Sequence, residues 1–130
     1  MDVTPLIPSD RKVITGYGPG IIRVNDEAFQ DPVVVWPTQT APWAVGDPQA
    51  LTETDFQFLT DTAMDEPLEV LLIGTGARMQ FIPPALREAI RKLGPVADIM
   101  DTGAACRTYN VLLAEGRPIA AALLPVVNDS

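Results

Sequence analysis

The chain has 130 residues, close to the commonest size of one domain, and 47% are hydrophobic, enough to build a core without metal or disulfide staples. Its formal net charge is −8, from 17 acids against 9 bases, which repels phosphate backbones and excludes nucleic acid as an expected partner. Histidine is absent, so Ser-His-Asp and Cys-His centres are excluded, and a zinc site would have to be built from carboxylates and one thiolate.

Residues 1–10, with Pro5 and Pro8, read as a loosely held N-terminal arm. Residues 11–125 read as one α/β domain and residues 126–130 as a tail. Val13-Ile14 and Ile21-Ile22-Arg23-Val24 are short β-branched runs around Gly16-Tyr17-Gly18-Pro19-Gly20, the pattern of a hairpin. Asn25-Asp26-Glu27 turns the chain again into Ala28-Phe29. Val33–Trp36 is a continuous apolar strand, and Ala41–Val45 is an extended piece that Pro42 confines to an edge or a coil. The apolar loop from Trp36 to Trp43 can anchor a partner or fold back onto the sheet.

Thr52 as N-cap and Asp55 three residues on form a capping-box-like start, with Leu51 and Phe56 placed as a hydrophobic staple. The spacing predicts a helix to about Thr62 that buries Phe56, Leu59 and Ala63. Leu68–Ile73 is nearly all apolar, as a strand covered on both faces requires, and Gly74-Thr75-Gly76 is expected to end it. Pro83-Pro84 opens a second helix with Leu86, Ile90 and Leu93 as its stripe, and Gly94-Pro95 stops it. Val96–Met100 is the next strand. Asp101 or Thr102 caps a third helix reaching about Glu115, Gly116 ends it, and Arg117–Pro125 is the last strand. The predicted fold class is therefore α/β: a layered mixed β-sheet with a βαβαβ C-terminal half and an antiparallel, β-rich N-terminal part.

In open α/β sheets, ligands bind beyond the carboxyl ends of the strands. Gly74-Thr75-Gly76 and Asp101-Thr102 fall there, with Arg78 and Arg107 near enough in sequence to add charge-assisted contacts. The ligand-binding set under this reading is Gly74, Thr75, Gly76, Arg78, Asp101, Thr102, Arg107 and Asn110. The opposing reading gives the glycines only a sharp turn to make, and Asn110 only a neighbouring loop to tie. Cys106, in the first turns of the third helix, is a candidate reactive thiol if the helix dipole lowers its pKa, or a packing residue if buried. Asp98 and Asp101 straddle a strand end but read as a solvated residue and a cap. No catalytic residue, metal site or cofactor is expected.

One cysteine permits no internal disulfide, and no apolar run nears the roughly 20 residues that span a bilayer. The first residues show neither a signal peptide nor an Arg-rich transit segment. The expectation is a soluble, cytoplasmic protein that is not integral to a membrane.

Leu72–Gly76, Pro83 with Leu86, Met100-Asp101-Thr102, Ala105–Asn110 and Leu112–Arg117 together resemble an uncharacterised domain family. That family includes the mitochondrial respiratory complex I assembly factor 3 and the adipogenesis-associated domain-containing protein. The resemblance spans roughly residues 11–125 and implies a layered α/β fold. It also implies a non-catalytic interaction protein with protein partners, in the manner of an assembly factor for a respiratory membrane complex. Two rivals stand beside it: a small-ligand or anion-binding domain, even a weak enzyme, and a homo-oligomer joined by a β edge or the Trp loop.

Overall fold

A computed structural model describes residues 9–61 and 66–126. The expected arm, apart from Ser9 and Asp10, and the tail beyond Val126 lie outside the described residues, as do Thr62 and Ala63. Five strands form the main sheet in the order β5-β4-β8-β6-β7. They are β4 (Val33–Trp36), β5 (Gln39–Pro42), β6 (Val70–Thr75), β7 (Val96–Met100) and β8 (Ile119–Leu124). Strands β6, β7 and β8 run parallel, and β4 joins β8 antiparallel, so the last of the described strands lies at the sheet's centre. Pro42 closes the outer strand β5, where a missing donor costs no ladder bond.

The first three strands form a separate antiparallel meander: β1 (Ile14–Gly18), β2 (Ile21–Val24) and β3 (Glu27–Phe29). Asn25 and Asp26 both have positive φ, 50° and 68°, in the tight turn between β2 and β3, a conformation these two residue types tolerate.

Side-chain alternation divides the core. Val33, Val35, Leu72, Ala121 and Leu123 face α3 (Thr102–Ala114), which lies between the main sheet and the meander's Ile14, Ile22 and Val24. Val34, Trp36, Leu71, Ile73, Ala120 and Ala122 face the other way, toward α2 (Pro84–Lys92) and the aromatic group Trp43 and Phe56. The methyl side chains of Ala120 and Ala122 leave room for those large rings on the central strand. This is the layered, mixed α/β architecture that the pattern predicts.

Three expectations are corrected, and the open choice for the Trp loop is resolved. Residues 52–62 do not make one helix: a 3-10 turn, Glu53–Phe56, is followed by a short α1 (Phe58–Asp61). The Trp43 indole N–H donates to the Asp55 carbonyl at 2.7 Å, removing an acceptor that a continuous helix would have used. Asp55 still accepts from the Thr52 N–H at 2.8 Å, as a capping box requires. The glycine segment ends β6 later than expected, because Gly74 and Thr75 still pair with Leu123 and Leu124, and the turn comes at Gly76 with φ 100°. Trp36 and Trp43 are buried against the sheet and cannot act as exposed partner anchors. Leu93, expected in the buried stripe, is an exposed C-cap residue.

Candidate functional site

Thr75 and Gly76 at the end of β6, and Leu124 and Pro125 at the end of β8, form the floor of an open cleft of about 710 Å³. Arg78 and Gln80 make one wall and Val45, Gly46 and Pro48 another, with Gln30, Pro32 and Gly20 completing the rim. Its place beyond the carboxyl ends of parallel strands is where sheets of this kind accept ligands.

The loop from Gly76 to Pro83 is built on Thr75. Its buried hydroxyl donates to the Arg78 carbonyl at 2.7 Å and accepts from the Gln80 N–H at 2.9 Å. Across the rim, the Gln49 amide donates to the Gln80 side chain at 3.2 Å. Pinned in this way, the loop alternates: Gln80 is half-buried and Ile82 buried, while Met79 and Phe81 are 60% and 72% exposed.

The glycine turn and the start of α3 emerge side by side, and their polar groups bond to each other. The Thr102 hydroxyl donates to the Leu124 carbonyl at 2.5 Å and accepts from the Gly76 N–H at 2.8 Å, and the Thr102 N–H donates to the Gly76 carbonyl at 2.9 Å. Gly74 packs so tightly on Thr102 that an added Cβ would lie 2.9 Å from its Cα. Asp101 caps the helix by accepting from the Ala104 N–H at 2.8 Å, which places a carboxylate where an anion would bind.

The remaining expected residues lie elsewhere. Asn110 clamps the meander: its Oδ1 accepts from the Ile14 N–H at 3.0 Å and its Nδ2 donates to the Ile14 carbonyl at 2.7 Å. The exposed Arg107 guanidinium donates to the Tyr17 hydroxyl, whose ring lies over Gly103. Cys106 is buried, and burial pushes its thiol up from 9.0 to about 12, with Arg107 opposing and Asp101 adding to the rise. Such a thiol is protonated at neutral pH, which weighs against a reactive role. Burial also raises Tyr109, opposed by Arg11, and its hydroxyl donates to the Lys12 carbonyl at 2.8 Å. Of the eight expected ligand residues, therefore, Thr75, Gly76 and Arg78 line the cleft; Gly74, Asp101, Thr102, Arg107 and Asn110 do not. Among the described residues no group of histidine, cysteine or carboxylates could hold a metal ion.

A family model described as "Protein of unknown function (DUF498/DUF598)" matches residues 14–124. The chain belongs to this family. Within the DUF498/DUF598 kinship, an uncharacterized protein of Rhodobacter capsulatus is 34% identical over 113 residues, 87% of this chain and 84% of that protein. The Bos taurus NADH dehydrogenase [ubiquinone] 1 alpha subcomplex assembly factor 3 is 36% identical over 113 residues, 86% of this chain, which spans only 60% of that relative's length. A solution structure of a Mth938-like domain from Bordetella pertussis superposes with a TM-score of 0.81 at 32% identity, covering 99% of this chain and 95% of that one. The expected family, including its assembly-factor members, is thereby shown.

Sequence reasoning missed Gln80 in the cleft wall, and Met79 and Phe81 exposed on the same loop beside the cleft. The signal was present: two large apolar residues at alternate positions, between a glycine turn and a double proline, with no helical or strand pattern to bury them both. No helix among the described residues is long and apolar enough to cross a membrane.

Proposed function

We propose that this DUF498/DUF598 chain is a non-catalytic protein-interaction domain, serving as an assembly factor for a respiratory membrane complex. One observation carries the reading: Met79 and Phe81 are displayed on a loop that the Thr75 hydroxyl already holds in place. Large apolar side chains presented without an ordering cost suit a binding anchor better than a solvated surface. The assembly-factor relatives support this direction, although the chain covers 60% of the bovine one. Its partners on this reading are proteins rather than nucleic acids, given the charge of −8. Its compartment is the cytoplasm, consistent with a lone buried cysteine.

Affinity capture from native cells tests the proposal, comparing the natural chain with a Met79→Ser/Phe81→Ser variant. Subunits or assembly proteins of a membrane enzyme are expected in the first eluate and absent from the second. Their absence from both, or equal recovery in both, defeats it. A rival reading, a small anion held by Arg78, has the size of the cleft in its favour. A thermal-shift screen separates the two, because a ligand at 100 times its dissociation constant adds roughly 2.7 kcal/mol. Size-exclusion chromatography addresses the homo-oligomer.

A further inference from the structure

The cleft differs in charge from the chain around it. Against 17 acids in the whole sequence, the residues lining it include no carboxylate and a single charged side chain, Arg78. Arg78 is exposed, and no ion pair engages it among the described residues. Thr75 fixes the backbone from which the Arg78 side chain springs, through a bond to its carbonyl. Beside it, outside the residues that line the cleft, Met79 and Phe81 are exposed at alternate positions of the loop, while Gln80 is half-buried and Ile82 buried. An extended partner segment alternates its side chains in the same way.

We infer that the partner segment bound here is an extended, acidic-apolar peptide. Its carboxylate pairs with Arg78, and its apolar side chains cover Met79 and Phe81. The Gln30 and Gln80 amides at the cleft wall supply donors and acceptors to its backbone. A carboxylate fits better than a phosphate because one guanidinium answers one negative charge, and no second cation lines the cleft. This inference deepens the interaction reading and rests on it.

The test titrates the ¹⁵N-labelled full chain with an acetylated, amidated six-residue peptide of alternating leucine and aspartate, its leucine-asparagine counterpart, and inorganic phosphate. The acidic peptide is expected to shift the amides of Gly46, Gly76, Ala77 and Arg78 saturably. The asparagine peptide should bind at least about tenfold more weakly, and Arg78→Gln should erase that difference. Phosphate should not saturate the same amides. Equal affinity for the two peptides, no cleft shifts at millimolar peptide, or saturation by phosphate each overturns the inference. If native partner capture fails with Met79→Ser/Phe81→Ser but survives Arg78→Gln, the interaction reading stands and the acidic segment falls. If neither variant changes capture, both fall.

Discussion

Asn110→Ala isolates the contact that fastens the meander to α3. The substitution strands the N–H and the carbonyl of Ile14, a residue only 4% exposed, after deleting bonds of 3.0 and 2.7 Å. A stranded buried polar group costs about 1–3 kcal/mol. Asn110 is itself half-buried, so water reaches part of the gap and the lower half of that range applies to each group. The sum is about 3 kcal/mol, which for a domain of this size lowers Tm by roughly 10 °C. The loss should be local: amide hydrogen exchange should quicken across β1 and β2 while β6 and β8 keep their protection. Asn110→Asp serves as a control, since an ionised carboxylate accepts from the Ile14 N–H but cannot donate to its carbonyl, and it should not restore Tm. A Tm loss below about 2 °C, or exchange that quickens evenly over the sheet, would refute the reasoning.

Gly74→Ala should lower stability by about 2–3 kcal/mol in urea titrations, because the new methyl meets the Thr102 backbone rather than a side chain that can move aside. Thr102→Val keeps the shape but leaves the Leu124 carbonyl and the Gly76 N–H without their hydroxyl partner; a loss of about 2–4 kcal/mol is expected, and a neutral result contradicts the buried-bond argument. Cys106 is protonated in both folded and unfolded chains at neutral pH and contributes no pH dependence there. Above 9.0 the unfolded thiol ionises while the folded one, raised to about 12, does not, so stability falls with rising pH. The slope approaches about 1.4 kcal/mol per pH unit, and urea midpoints from pH 8 to 11 should show a shallower fall in Cys106→Ala. Tyr109, raised in the same direction, adds to the decline above 10.0 in both proteins.

Elements governed by backbone chemistry were the most legible in the sequence. Strand β7 falls at Val96–Met100 as expected, and Gly94 and Gly116 end their helices at φ 136° and 74°, values that exclude most side chains. Asp101 was readable as a cap from its place before an apolar periodic run. The broken helix at 53–61 was not readable, because the Trp43 bond that diverts the Asp55 carbonyl joins segments whose approach depends on the whole sheet. The candidate site was legible to the same limit. Position beyond β6 could be inferred from order, which gave Thr75, Gly76 and Arg78. What the side chains of Thr102 and Asn110 bond to could not: they engage Gly76, Leu124 and Ile14 of the fold itself.

Because the strand at the middle of the main sheet, β8, follows every other described strand in the sequence, β4 and β6 acquire the neighbour that joins them only after all the others have been made. One bond of the meander forms as late, since the amide of Gly20 finds its acceptor in Val126 at 2.6 Å. Segments made before β8 therefore carry unmatched strand borders, the kind of edge that pairs wrongly with other chains until its proper neighbour arrives.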